Sequence, residues 1–239
     1  MLYYIKGSDY MCGRITLGID YARLNQYLQE TFQLNIRDNI FHLPRYNIAP
    51  QQDVLAVIKA KDHYRVGKLQ WGLIPAFAKT IKSSYTMINA RSETVTKKPA
   101  FTHAFSHNRC IILADGFYEW SKDDKTPYYF YPKKSELIAL AALYEKNTHV
   151  MESPLFTTTI LTTKANALMA PIHHRMPVIL NEEAIKLWLD DNTDQFTLHA
   201  LIEASENYPL SHHQVSTFVN NAQNDNPTCT QKIPTSKDV

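Results

Sequence analysis

The residues with the most distinctive chemistry in this chain are Met11-Cys12-Gly13-Arg14. If translation or processing makes Cys12 the first residue, it carries a free α-amine beside a thiol. An α-amine has a pKa of about 7.7–8.0 against about 10.4 for lysine, so at neutral pH a sizeable share is unprotonated while roughly one lysine in a thousand is. Such an amine opens attack on an aldehyde to give an imine. The adjacent thiol, with a pKa of about 8.5, then closes on the imine carbon to form a five-membered thiazolidine. Read alone, the segment fits better a buried small cysteine ahead of a turn glycine.

Three other side chains suit the same reaction. Glu119 lies beside Phe117 and Trp120, at the end of a strand-and-turn segment beginning near Cys110 with a tight turn expected at Asp115-Gly116. A carboxylate near Cys12 accepts a proton from the α-ammonium, a general-base role that requires a pKa raised by partial burial. His173 sits in the Pro-bracketed loop Pro171-Ile172-His173-His174-Arg175, and its near-neutral pKa suits proton transfer during ring opening and imine formation. Asn89 offers a neutral donor and acceptor that holds a hydroxyl without competing as a nucleophile. Arg14, Arg91 and Arg175 sit beside or near Cys12, Asn89 and His173 in sequence, so converging segments would form a track of guanidinium forks for phosphate oxygens. Taken singly, each of these residues has an ordinary structural role: a turn carboxylate, a loop histidine, a turn asparagine, surface ion-pair arginines.

The order of six segments changes the balance. After Met11–Arg14 come Pro44-Arg45-Tyr46-Asn47-Ile48-Ala49-Pro50, Trp71-Gly72-Leu73-Ile74-Pro75, Ile88-Asn89-Ala90-Arg91-Ser92-Glu93-Thr94, Ala114-Asp115-Gly116-Phe117-Tyr118-Glu119-Trp120 and Ala170-Pro171-Ile172-His173-His174-Arg175-Met176-Pro177. Together they closely resemble the SRAP family, the SOS-response-associated peptidases viewed as abasic-site sensors, over roughly residues 11–220. The resemblance implies capture of the ring-opened deoxyribose aldehyde of an abasic site in single-stranded DNA as a thiazolidine on Cys12. It implies Asn89, Glu119 and His173 as the other catalytic groups and requires no cofactor. It also places Asn47 and Trp71 near the DNA groove and Phe77 in the position of a wedge that stacks on a neighbouring base. One departure stands out: His174 occupies a position where the family usually has aspartate. Two other functions fit the opening segment: an N-terminal-nucleophile amidohydrolase, or a thiol protease with Cys12, His173 and Glu119 as its triad. A non-catalytic single-strand-binding module is a third.

Composition sets outer bounds. A chain of 239 residues with 44% apolar side chains and no linker-like stretch is expected to form one domain over 11–226, preceded by a leader at 1–10 and followed by a tail at 227–239. The formal charge of +2 neither announces nor excludes a nucleic-acid partner, because a local groove binds phosphates without a basic average. Three cysteines without CxxC spacing point to a reducing compartment, the cytoplasm, and to no metal site. No apolar run approaches a membrane span, and a monomer is expected.

The elements that must position these groups read as short strands with a few helices. Strands are expected at Val54–Lys59, Tyr64–Gln70, Arg109–Ala114, Tyr128–Tyr131, Leu137–Leu143, Phe156–Thr163, Val178–Leu180 and Gln214–Phe218. Helices are expected after Asp20 to about Phe32, after Asn181, and more weakly from Asp194 to Ala204. The result is an α+β fold whose sheet is mainly antiparallel and, through the family resemblance, barrel-like.

Overall fold

The computed structural model describes residues 12–36, 40–81 and 87–234, so the expected leader lies outside the described residues. In chain order the strands are β1 (Ile15–Leu17), β2 (Arg45–Ile48), β3 (Asp53–Ala60), β4 (His63–Trp71), β5 (Asn89–Arg91), β6 (Arg109–Ala114) and β7 (Gly116–Trp120). They continue as β8 (Pro127–Pro132), β9 (Ile138–Asn147), β10 (Leu155–Lys164), β11 (Arg175–Pro177), β12 (Ile179–Leu180) and β13 (Leu210–Gln214). The helices are α1 (Tyr21–Phe32), α2 (Pro99–His107), α3 (Glu182–Leu189) and α4 (Gln195–Ala204). This is the α+β class expected.

Five strands pair in a ring: β10 with β4, β4 with β3, β3 with β6, β6 with β9, and β9 back to β10. The ring is antiparallel except where β10 runs parallel to β4. It is less regular than a clean barrel, because β5, β11 and β12 attach outside it and a second, open sheet runs β13-β8-β7-β1-β2. The ring's most apolar members are β6 and β9. All six residues of β6 are buried, and β9 contributes an almost continuous buried run from Ile138 to Leu143.

Helix ends follow local chemistry. Asp20, Asn181 and Asp194 each accept a backbone N–H three residues on, at Arg23, Ala184 and Thr197, so the three expected helices begin where side-chain caps permit. Helix α3 seals one side of the ring: Trp188 Nε1 donates to Cys110 O at 2.9 Å, and buried Arg109 donates to Trp188 O, Phe105 O and Asp190 O at 2.7, 2.8 and 2.6 Å. Helix α2 has no counterpart among the expected elements. Its signals are Pro99 in the first turn and the buried spacing Phe101, Ala104, Phe105.

Two local expectations are corrected. The strand expected at Gln214–Phe218 lies earlier, at Leu210–Gln214, and Thr217–Asn220 is a short 3-10 helix. The polar sequence of this strand hides it because its packing is lateral, with the His212 ring stacked on Phe130 and tilted against Tyr128. Asp115-Gly116 is not a hairpin turn but the bend at which the chain leaves the ring for the open sheet. A Cβ on Gly116 would overlap the Tyr129 ring, so glycine is required there by close approach. Beyond Asn226 the chain remains packed as far as Ile233: Pro227–Thr230 is a helical turn, Cys229 is buried, and Val215 bridges to Lys232.

Candidate active site

The register between β1 and β7 brings Cys12 and Glu119 together. Ile15 faces Phe117 and Thr16 faces Gly116, and the ladder continues through Tyr118 N donating to Arg14 O at 2.9 Å. Glu119 therefore stands opposite the chain just before Arg14, and its Oε1 accepts the backbone N–H of Cys12 at 2.6 Å. In the 239-residue chain this nitrogen is the amide joining Met11 to Cys12. Once the preceding residues are gone, the same atom is the α-amine. Cys12 also has a positive φ of 38°, a left-handed conformation disfavoured for a side chain with a Cβ.

Burial decides the electrostatics here. The Glu119 carboxyl is pushed up to about 8 by loss of water, opposed by the N–H groups of Cys12 and Trp120. The Cys12 thiol is held well above its ordinary value, first by burial and second by Glu119. A thiol so placed is neutral at physiological pH and starts no attack on its own. The Cys12 nitrogen meanwhile has the Glu119 carboxyl as its acceptor.

Strand β10 organises the other groups. Its one edge runs parallel to β5, pairing Ile160 with Asn89 and Thr162 with Arg91, while its other edge pairs Lys164 with Arg175. A Cβ on Gly13 would lie 3.9 Å from Ile88 Cδ1, which sets the Cys12-Gly13 segment against the residue preceding Asn89. His173 is buried, and its Nδ1 accepts from Arg175 N at 3.2 Å. The same Nδ1 lies 3.4 Å from Arg175 O, so the Arg175 backbone offers it both a donor and an acceptor. Burial lowers its pKa, with the neighbouring His174, Lys122 and Arg175 charges acting the same way. His174 is exposed, its ring centroid 4.5 Å from that of His173.

The expected DNA-binding residues separate into distinct environments. Arg91 is exposed. Arg14 is half-buried over the Trp120 ring at 5.7 Å and donates to Asn47 Oδ1 at 2.5 Å and Val219 O at 2.8 Å. Arg175 is buried, with two bonds to Glu93 at 2.6 and 3.0 Å and others to Thr162 O and Oγ1 at 2.7 and 3.1 Å. The three arginines are thus not an open track of equivalent forks. Asn47 is fully buried and its Nδ2 donates to Val219, Asn221 and Asn224 carbonyls at 3.1, 3.1 and 2.7 Å. Trp71 is also fully buried, donating to Ile88 O at 2.9 Å. Both residues shape their surroundings through what they hold. Phe77, by contrast, is 66% exposed.

Sequence reasoning misses Glu93 as the partner of Arg175, although it lies within the segment that carries Asn89, and Lys122, three residues past Glu119. Lys122 is exposed, and its charge acts on both His173 and His174. It also misses the arm Ser216–Asp225, gripped by Arg14, Arg45, Asn47 and Trp120. A triad arrangement is not what the structure holds. Among the described residues, Glu119 bonds the Cys12 nitrogen and the His173 ring bonds the Arg175 backbone; neither is hydrogen-bonded to the other. Among the described residues no cluster of His, Cys, Asp and Glu is placed to hold a metal ion, and no helix is long and apolar enough to cross a membrane.

The sequence profile of the SOS response associated peptidase (SRAP) family matches residues 11–222. The abasic site processing protein YoqW of Bacillus subtilis is 44% identical over 227 residues, covering 91% of this chain and 97% of that protein. The abasic site processing protein HMCES of Xenopus tropicalis is 31% identical over 234 residues, covering 82% of this chain and 68% of its own. Among solved structures, a protein from Bacteroides thetaiotaomicron superposes with a TM-score of 0.77 at 22% identity, covering 93% of this chain and 100% of the other. A phage-related protein from Bordetella bronchiseptica does so with a TM-score of 0.67 at 26% identity, covering 85% and 94%.

Proposed function

Because the chain belongs to the SRAP family, we propose that it processes abasic sites in DNA, capturing the ring-opened deoxyribose aldehyde in single-stranded DNA on an N-terminal Cys12. The observation that carries this reading is the 2.6 Å hydrogen bond between the Cys12 nitrogen and the buried Glu119 carboxyl. Exposed cations, Arg91 with Lys122, engage the phosphates, while Arg14 and Arg175 hold the walls of the site. Asn47 and Trp71 support those walls from within, and Phe77 offers a stacking face.

His173 assists opening of the sugar ring to the C1′ aldehyde, whose carbonyl Asn89 and its neighbours orient. Glu119 takes a proton from the Cys12 ammonium. The freed amine adds to C1′ and the carbinolamine loses water to give the imine. The thiol then adds across the C=N bond: sulfur bonds to C1′ and the thiol proton passes to nitrogen, closing the thiazolidine. The order of events follows from the electrostatics, since the neutral thiol waits for an activated carbon while the amine is primed by Glu119. A thiol hydrolase would need the opposite order. No cofactor enters these steps, and single-stranded DNA bearing the lesion is the partner of the monomeric protein in the cytoplasm.

The test is a heat-stable, SDS-resistant adduct with a single-stranded abasic oligonucleotide, formed by protein whose mass begins at Cys12. Cys12→Ala with its amine exposed is expected to give only an adduct that needs borohydride to trap it. Full heat-stable adduct without reductant from that variant contradicts the thiazolidine. Cys110→Ala and Cys229→Ala are expected to leave capture intact.

A further inference from the structure

We propose that Asn147 is a positioning residue that pre-orders Phe77 as a stacking face for a nucleobase beside the lesion; this rests on the single-stranded DNA reading above. Asn147 closes β9 and is fully buried. Its Nδ2 donates to Pro75 O and Ala78 O, each at 2.8 Å, and at 3.4 Å to Ala76 O. Its Oδ1 accepts from His149 N at 2.8 Å and Val150 N at 3.1 Å. One amide thereby fastens two loops far apart in sequence. Only an amide does both jobs from one planar group, because a carboxylate lacks the donors and a hydroxyl lacks the second one.

What the amide encloses is a tight turn, with Ala78 N donating to Pro75 O at 2.9 Å. Phe77 stands on it, flanked in sequence only by the small residues Ala76 and Ala78. A ring 66% exposed gains little from burial, so the clamp beneath it does not serve core packing at that residue. Holding the ring on a rigid turn removes the ordering cost that a loose loop incurs when it meets a partner. The turn also follows closely on a residue tied to the segment that carries Asn89. Leu73 N donates to Met87 O at 3.1 Å, two residues before Asn89, and the four Cα-to-Cα steps from Leu73 to Phe77 span at most ~14 Å. At its other end the clamp sets the loop that leads to Met151, which with Ile81, Leu155, Trp71 and Gly72 lines a cleft. Stacking on an aromatic face is tolerant of base identity, as capture of a lesion in any sequence requires.

The experiment uses the Cys12-terminated protein and a single-stranded oligonucleotide carrying 2-aminopurine next to a tetrahydrofuran abasic analogue, which docks without reacting. Wild type is expected to quench the 2-aminopurine. Phe77→Ala is expected to abolish the quench and weaken binding by about 5- to 150-fold, the range for one base stacked on an aromatic ring. Asn147→Ala is expected to match Phe77→Ala, and the double variant to be no worse than either single one. A wild-type quench retained by Asn147→Ala, effects that multiply in the double variant, or no quench by wild type would each overturn the assignment. If Asn147→Ala fails to fold, the pair Ala76→Gly and Ala78→Gly keeps the amide and loosens the turn; an unchanged quench then overturns it and a reduced one supports it. Heat-stable adduct with a true abasic site is read in parallel. Its absence in wild type defeats the functional reading, whereas its presence with a quench indifferent to Asn147 defeats the clamp alone.

Discussion

Glu119 and Cys12 form a pair whose chemistry is set by burial. With its carboxyl pushed up to about 8, Glu119 is largely protonated near neutrality in the chain that retains an amide at Cys12. The unfolded value is about 4.3, so the folded state binds this proton more tightly and the stabilising contribution is complete below that value. It is lost as pH rises through about 8. In the full 239-residue chain, Glu119→Gln is therefore expected to gain stability relative to wild type as pH rises across that window, measured by urea midpoints at several pH values. Equal pH dependence of the two proteins would show that the carboxyl is not held as described. In the Cys12-terminated form the same substitution is expected to slow adduct formation by about 10²–10⁴-fold, the range for loss of a general base. At this scale the pairing of Cys12 with Glu119 is legible in the sequence because the segments that carry them are among those the family resemblance joins. Arg175 is legible as a residue but not in its role, since its partner Glu93 is 82 positions away and only the β10 spine joins them.

Elements place these side chains through register more than through propensity. Strand β1 has three residues, too few for any periodicity to reveal, yet its pairing with β7 puts Glu119 on the Cys12 nitrogen. The longer strands β3, β4, β6, β9 and β10 are readable from their β-branched and aromatic content, and the caps Asp20, Asn181 and Asp194 mark three helices. The arm from Ser216 to Asp225 is not readable, because much of its attachment is made by main-chain carbonyls accepting from Arg14 and Asn47, beside the Asp225 carboxylate accepting from Arg45 and the Tyr46 amide and Asn220 Oδ1 accepting from Trp120. Asn47→Ala removes a buried donor shared by three carbonyls, so a destabilisation of about 1–3 kcal/mol is expected. Hydrogen exchange is expected to rise in 217–230 with little change in β3 and β4. Uniform acceleration across the ring would contradict the view that Asn47 acts by fastening the arm.

At the scale of the whole molecule, a net charge of +2 conceals a local grouping of cations, with the Lys122 charge acting on both His173 and His174 and the Arg91 charge on His174. Composition could not show it, because the fold brings these residues together from three separate segments. Arg91→Ala is expected to weaken docking of single-stranded DNA and to reduce the slope of log K against log salt by about 0.7, the value for one fewer phosphate neutralised on a single strand. His173→Ala is expected to slow adduct reversal with the slope unchanged, so the two variants separate phosphate binding from proton transfer. An unaltered reversal rate would remove His173 from the chemistry. The central claim concerns the α-amine, and it is tested most directly by intact mass of protein and adduct for three forms on an abasic oligonucleotide: the full 239-residue chain, a chain beginning at Met11, and a chain beginning at Cys12. The account predicts a heat-stable adduct, with the mass of protein plus DNA less one water, only on molecules whose mass begins at Cys12. The same adduct on an intact chain beginning at Met1 would contradict it.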